Sequence, residues 1–528
     1  MKLVTASQMQ AIEQSCIDAG VSLDKLMENA GLAVAEAVRA EYGEHSQLFG
    51  KRIAILVGSG NNGADGFVAG RHLAEWGAKV TAVLCAARKS SDPKRDAAIC
   101  AGVTVMDGLS DSGLDSLRQI LGTADALIDA ILGTGLTRPI TEPLSSLVFA
   151  VMESAVPIFA LDLPTGLNSD TGEFDIAGLP ADHTLMLGYP KLGPAISGDP
   201  TVTGEISVLN IGIPQGLDSQ VTSKLITENM AAALMPERPF TGHKGTFGST
   251  LIVGGSKDYL GAVTMATDAA TRSGVGLTFV ATSERAYRQI AGNVPEAMYR
   301  SLPTDENGIL TPTEAARSVL EMSQKSSTLV IGPGLGHDPS TREFLSIVLS
   351  QVDPAIPLVL DADALNILSS SHFWWERLDN PTVLTPHPGE MGRLMGITTS
   401  EVLRNRVAVV RGAAEKFRAT VVLKGSATLI AAPDGQLTVS PWVNTGLAKG
   451  GSGDVLAGLL GGLLAQQPDE PFEMASLAVF IHGYAANAAK RELGETGMRA
   501  TDVIQRLGLF YRDFNQYETH RACSKIEC

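Results

Sequence analysis

What most constrains this chain is a recurrence. A short apolar run is followed at once by a loop rich in Gly, Asp or Asn, and then by helical periodicity. Residues 52–57 (RIAILV) run into GSGNNGADG at 58–66 and then into a helical pattern over 67–76. Residues 80–84, 124–130 and 157–161 read as further buried strands. The last two lead into Asp129-AILGTGLTRP and Asp162-LPTG. Apolar runs this short, alternating with helical segments, specify parallel strands joined by crossover helices and covered on both faces. Segments 183–187 and 205–209 extend the pattern. Ahead of it, residues 7–39 read as amphipathic helix with a break near Gly20.

The second half repeats the alternation without visible sequence repetition. Strands are expected at 250–253, 278–280, 329–331, 357–361, 383–385 and 421–424. Several end in conspicuous loops: GGSKDYLGA, GPGLG, DADALN, PHPGEM and GSATLI. Helices are expected at 262–272 and 474–490. Between the halves, residues 210–240 lose the alternation, which puts a boundary near Ile226. The expected organisation is therefore α/β throughout. A Rossmann-like three-layer domain covers 1–225, a doubly wound domain covers 226–517, and a frayed tail begins at about Glu518.

Ligands of open α/β sheets bind at the carboxyl ends of the strands. In the first half that edge collects Asn61, Asn62 and Asp65, then Asp129, Gly133 and Gly135, then Asp162 and Thr165. Asn62, Asp129 and Thr165 offer hard oxygen ligands that suit a hard cation, with no His or Cys set for a transition metal. In the second half the equivalent feature is residues 444–454 (NTGLAKGGSGD), running directly into VLAGLLGGLLA. Glycines there allow close backbone approach, and the free N–H groups of a helix start attract phosphate. Asp454 then stands beside the phosphate, where a base for a hydroxyl is needed. Read alone, the same residues are a helix entry with an Asp cap. Lys424 beside Gly425 and Ser426 can neutralise phosphate as a point charge. His387 is held in a rigid Pro-His-Pro turn, and Asp361 and Asp363 read as caps of the next helix. The Trp374-Trp375 pair reads as packing.

Composition excludes several classes. With 528 residues, 44% hydrophobic and 19% charged, the chain suits packed globular domains rather than disorder. A net charge of −16 with no basic tract argues against nucleic-acid binding. The five cysteines are scattered without CxxC spacing, which fits a reducing cytoplasm better than a zinc or disulfide framework. The first residues lack a hydrophobic signal core, and the longest apolar run, 455–465, is too short to span a bilayer. No membrane partner is expected, and the expected location is cytoplasmic.

Taken together, the motifs resemble the two-domain NAD(P)HX repair enzymes of bacteria. The resemblance covers nearly the whole chain. It rests on GSGNNGADGFVAGRHL, DAILGTGLTRP and ALDLPTGLNSDTG in the first half. In the second it rests on HKGTFGSTLIVGGS, GPGLG, DADALN, TPHPGEM, VVLKGSATLI and NTGLAKGGSGDVLAG. It implies an N-terminal NAD(P)HX epimerase and a C-terminal, ribokinase-like dehydratase that consumes ADP or ATP with Mg2+. It implies a potassium site at Asn62, Asp129 and Thr165. It implies a hydrate site in the epimerase at Asn61, Asn62, Gly63, Ala64, Asp65, Gly133, Thr134, Gly135, Leu136, Thr137, Arg138, Pro139 and Asp162, with Asp162 moving the proton. In the dehydratase, Ala262, Gly334, Gly336, His387 and Asp454 would hold the hydrate. Lys424, Gly425, Ser426, Ala427, Thr428 and Gly453 would hold the nucleotide, and Asp454 would be the catalytic base. Ala64 departs from the family's usual Gly, and Thr165 replaces a common Ser. The expected partners are NADHX or NADPHX, a nucleotide and further copies of the chain. Two other readings are a small-molecule kinase of the ribokinase type and a non-catalytic nucleotide-binding protein.

Overall fold

The computed structural model describes residues 1–42, 48–110, 113–135 and 138–523, with side chains 515–523 left aside. The chain divides into two compact units, residues 2–223 and residues 224–528 together with Met1.

The first unit is built on seven strands: β1 Arg52–Val57, β2 Lys79–Leu84, β3 Thr104–Asp107, β4 Ala126–Ala130, β5 Ile158–Leu161, β6 His183–Leu187 and β7 Glu205–Leu209. Their order is β3-β2-β1-β4-β5-β6-β7, parallel throughout. Successive residues of a strand point to opposite faces. Ile53, Ile55 and Val57 of β1 accordingly enter one apolar core, while Ala54 and Leu56 enter another. The strand order reverses between β1 and β4, so the loops after those strands diverge and leave a crevice at their carboxyl ends. The leading helices are Ala6–Asp18 and Leu23–Ala40, parted at Gly20, whose φ is 90°.

The second unit carries β8 Ser223–Leu225, β9 Ser249–Val253, β10 Leu277–Ser283, β11 Met298–Leu302, β12 Thr328–Ile331, β13 Leu358–Leu360, β14 Thr382–Leu384, β15 Thr420–Leu423, β16 Leu429–Ala431 and β17 Leu437–Val439. Their order is β11-β10-β9-β12-β13-β14-β15-β16-β17-β8. The pairings from β11 through β15 are parallel, and β15, β16 and β17 then continue as antiparallel neighbours. The apolar helix Ser452–Leu464 packs against the helix Leu260–Thr271. A β-carbon on Gly458 would meet Ala266 O at 1.9 Å, so only glycine permits that approach. Helix Pro471–Gly497 covers it further. A helix that is apolar all round is thus accounted for by burial on all sides. Among the described residues no helix is long and apolar enough to cross a membrane.

Two expectations need correction. The last helix runs from Ala500 to Cys523, past the expected fraying point at Glu518, and residues 524–528 lie outside the described residues. The helix after β1 begins at Asn61, not at Phe67, with Gly60 as its cap. Asn61, Asn62 and Asp65 therefore stand on the first turn of a helix rather than in a loop. Ala64 lies in that helix with a negative φ, so its methyl group brings no backbone strain.

Candidate active sites

In the first unit a cavity of about 390 Å³ opens at the β1/β4 crevice. It is lined by Asn61, Asn62 and Asp65 from the helix start, by Gly133, Thr134 and Gly135 from the loop after β4, and by Asp162 after β5. Gly63 and Ala64 face away into the fold, and Arg138 and Pro139 are exposed and do not line it. Leu136 and Thr137 lie outside the described residues. A β-carbon on Gly133 would fall 3.1 Å from Asn62 Oδ1 and 3.4 Å from Asp162 Oδ2, so the absent side chain keeps open the space between them.

Asp162 has φ 68°, a left-handed conformation that a non-glycine residue adopts at a cost. Its Oδ1 accepts from Leu187 N at 3.0 Å and from Lys191 Nζ. Asp65 is buried and its Oδ1 has no hydrogen-bond partner. Burial, then the charges of Asp162 and Glu13, hold its carboxyl well above the usual carboxylate range. Glu13, reaching in from helix Ala6–Asp18, is raised by burial and by Asp162. A pocket holding one ion-paired carboxylate and two carboxyls with raised proton affinity can both take and give a proton.

Beneath the cavity Asp129 and Thr165 are fully buried. Asp129 accepts from Thr165 N and Thr165 Oγ1, each at 2.8 Å, and from Ile131 N at 3.2 Å. Thr165 Oγ1 in turn accepts from Leu132 N at 3.1 Å. These bonds fix the loop that carries Gly133 from below. Burial pushes the Asp129 carboxyl up to about 6, although those bonds pull it down, and among the described residues no basic side chain offsets it. Among the described residues no hydrogen bond joins Asn62 to Asp129 or Thr165, and Asn62 Nδ2 is buried without a partner.

Motif reading passed over three residues of this site. Lys191 and Glu13 line the cavity. Arg88 donates to Gly58 O and, at 3.3 Å, to Gly60 O, while its Nε pairs with Asp92 at 2.7 Å. It thereby clamps the turn that feeds the helix. The one sequence signal for Lys191 is a lone cation inside the apolar, turn-rich stretch GYPKLG.

In the second unit the expected caps behave otherwise. Asp361, 1% exposed, accepts from Lys424 Nζ at 2.8 Å instead of capping a helix. Asp363 accepts from Gly336 N at 2.8 Å and pairs with His337 Nε2 at 2.9 Å. The helix Asp363–Ser369 has no side-chain cap. The tertiary partner of each carboxylate outbids the local backbone because it is a cation or a buried donor. Gly453 sits on the first turn of helix Ser452–Leu464, and a β-carbon there would be 3.2 Å from Lys424 Nζ and 3.9 Å from Asp361 Oδ2. Lysine, aspartate and helix N-terminus therefore converge on one point.

Asp454 is next along that turn. Burial first, then the negative charges of Asp361, Asp363 and Glu390 against the pull of Lys424, push its carboxyl up to about 7. Glu390 is buried and is likewise pushed up to about 7 by burial, with Lys424 opposing. Burial lowers the Lys424 ammonium, but Asp361, Glu390 and Asp454 outweigh it and hold it above the ordinary lysine value.

His387 caps helix Pro388–Met395. Its Nδ1 accepts from Gly389 N at 3.0 Å and Glu390 N at 3.3 Å, and its own N–H donates to Glu390 Oε2 at 2.8 Å. Burial, then Lys424 and Arg393, lower the imidazole below its ordinary value, so it stands neutral with its side chain half-exposed. Ala262 lies against Gly334: a β-carbon on that glycine would come within 3.1 Å of Ala262 Cβ. Gly425 and Ala427 are held from behind by the buried Arg406, which donates to Ala427 O and which motif reading passed over. Lys449 donates to Thr496 O and Met498 O, each at 2.6 Å, and so ties residues 444–454 to the end of helix Pro471–Gly497. Trp374 and Trp375 pack on Phe417 with centroids 5.2 Å apart in each case.

Two α/β units, one with a carboxyl-lined cavity and one with an acid beside a phosphate-type helix start, define a two-site enzyme acting on small metabolites. A model of YjeF-related protein N-termini matches residues 23–193, and a model of NAD(P)H-hydrate dehydratase matches residues 250–508. The bifunctional NAD(P)H-hydrate repair enzyme Nnr of Moorella thermoacetica is 35% identical over 98% of this chain and 98% of its own. That of Coxiella burnetii is 35% identical over 95% of this chain and 97% of its own. The chain belongs to the family of bifunctional NAD(P)H-hydrate repair enzymes, which join an epimerase to a dehydratase. Among solved structures it is similar to the ADP/ATP-dependent NAD(P)H-hydrate dehydratase of Bacillus subtilis co-crystallised with ATP and Mg2+, at 31% identity over 55% of this chain and 98% of that one, with a TM-score of 0.49. It is also similar to a ribokinase-like superfamily protein from Enterococcus faecalis, at 28% identity over 56% and 96%, with a TM-score of 0.48.

Proposed function

We propose that residues 226–517 dehydrate S-NAD(P)HX with Asp454 as the base, and that residues 1–225 interconvert the R and S hydrates with Asp162 moving the proton. The observation that carries the reading is the Asp454 carboxyl, pushed up to about 7 beside a helix start and the Lys424–Asp361 pair. A base with its pKa near working pH is the form general-base catalysis favours.

The hydrate carries a hydroxyl on ring carbon 6. Asp454 takes its proton as the oxygen attacks the terminal phosphorus of ADP or ATP, and the bond to the bridging oxygen breaks, releasing AMP or ADP. Lys424 and the N–H groups from Gly453 onward stabilise the transferring charge. The ring nitrogen then expels phosphate from carbon 6, and loss of a proton from carbon 5 restores the double bond. Gly425, Ser426, Ala427 and Thr428 hold the nucleotide. Ala262, Gly334, Gly336 and the neutral His387 hold the hydrate. Among the described residues no three His, Cys, Asp or Glu side chains converge as a metal set, so Mg2+ would arrive on the nucleotide phosphates.

In the epimerase, Asp162 takes the hydroxyl proton. The carbon 6–nitrogen bond opens to an aldehyde as the nitrogen gains a proton, and reclosure from the other side inverts the centre. Asn61, Asn62, Asp65, Gly133, Thr134 and Gly135 surround the hydrate. The buried Asp129, with three donors and, among the described residues, no cationic partner, fits a monovalent cation together with Thr165 and Asn62. Potassium there would offset charge beneath the loop. Cytoplasmic residence and assembly as a homo-oligomer complete the reading.

The test is mixed R/S hydrate with ADP or ATP, followed by NADH absorbance. Complete recovery of NADH is expected, and no recovery with either nucleotide would overturn the reading.

A further inference from the structure

Lys191 is the most buried charged side chain of the epimerase cavity, at 1% exposure, and no part of the proposed reaction has yet used it. Folding alone gives little reason to keep it, since a methionine or leucine would fill the same space without the cost of burying an ammonium. Its Nζ donates to Asp162 Oδ1 and, at 2.8 Å, to Leu187 O. Leu187 N donates to that same Oδ1 at 3.0 Å. Both donors thus converge on one oxygen. The other, Oδ2, faces the space beside Gly133 and Asn62 Oδ1.

We propose that Lys191 is the positioning residue of the epimerase: by occupying Oδ1 of Asp162 it leaves Oδ2 as the single oxygen that exchanges a proton with the hydrate. This rests on the reading of Asp162 as the proton carrier. The charged and titratable groups that face Asp162 are Lys191 from the loop after β6, Glu13 from helix Ala6–Asp18 and Asp65 from helix Asn61–Glu75. The two carboxyls hold protons tightly because of burial and because of Asp162's charge. Lys191 is therefore the one cation among them. It also fixes the rotation of the carboxylate, which a left-handed backbone already restricts. The pocket then has a defined acceptor at Asp162 Oδ2 and separate donors for the ring nitrogen.

The experiment uses the full chain, with a melting curve of each variant as the check on folding. R and S hydrates are separated chromatographically and interconversion is timed directly in wild type, Lys191→Met and Lys191→Arg across pH. In Lys191→Met the kcat of epimerisation should fall about tenfold or more while KM stays nearly unchanged. Lys191→Arg should restore most of the rate, and dehydration of S hydrate should be unaltered in both. An unchanged kcat in Lys191→Met would overturn the proposal, as would a loss that arginine does not restore. Failure of the wild-type chain to interconvert the hydrates would overturn the epimerase reading itself.

Discussion

Lys424 Nζ lies 2.8 Å from Asp361 Oδ1, across 63 residues of sequence, and helix Ser452–Leu464 begins against that pair. One contact therefore sets both the charge and the place of the phosphate site. Asp361→Ala should leave Lys424 without its partner and lower the stability of the C-terminal unit by ~3–5 kcal/mol. Urea unfolding followed by tryptophan fluorescence checks this, since Trp374, Trp375 and Trp442 all lie in that unit. A loss below about 1 kcal/mol would mean that the pair behaves like an exposed one.

Asp454→Asn should cut dehydration by roughly 10²–10⁴-fold and leave epimerisation intact. It should also stabilise the protein in alkali. The wild-type carboxyl is pushed up to about 7 when folded, from an ordinary value of 3.8. Its favourable contribution is therefore complete below the lower value and is lost as pH rises through about 7. Melting temperatures of the two proteins should agree at pH 4 and separate at pH 8, with the variant higher. Equal melting temperatures at pH 8 would argue that the carboxyl is not raised.

Glu390 bears on the same titration. Dehydration should rise with pH through about 7 as Asp454 becomes a base. Glu390→Gln removes one negative neighbour, so the rise should move to lower pH. A kcat profile against pH decides it, and an unmoved midpoint would remove Glu390 from the electrostatics of the base.

Asp129 links the cation to stability. With its carboxyl raised to about 6 by burial, the contribution of Asp129 is lost as pH rises through 6, and a bound cation would offset that loss. Potassium chloride should then raise the melting temperature of the N-terminal unit at pH 8 but not at pH 4, relative to a bulky organic chloride of equal ionic strength. At a 100-fold excess over Kd the gain would be about 2.7 kcal/mol. Asp129→Asn should abolish the difference and the potassium dependence of epimerisation. A potassium response that survives in that variant would remove Asp129 from the site.

The central strands were legible because each is an unbroken apolar run with a polar loop behind it. β3 (TVMD) and β11 (MYRSL) were not, because they lie at sheet edges where half the residues meet solvent. β16 and β17 are three residues each and turn at Pro-Asp-Gly, with Gly435 at φ 89°. A run that short leaves little pattern to read. In the sites, the residues legible in sequence were those on glycine-rich loops. Asp361 and Asp363 were misread because local reasoning weighs the nearest backbone, and Lys424 or His337 cannot be weighed before the chain is folded. Lys191 and Glu13 escaped for the same reason: charges in a turn and on a helix look solvated until two distant segments close over them.

The left-handed backbone at Asp162 carries a consequence for how this position can change over generations. Glycine, asparagine, aspartate and histidine take up such a φ more readily than other residues. Glutamate, the obvious chemical substitute, is penalised by the main chain before its carboxylate can be tried. Of the tolerated residues, aspartate alone offers a carboxylate. A lineage that leaves aspartate here therefore gives up the carboxylate, and the geometry of one peptide unit restricts which residues can replace it.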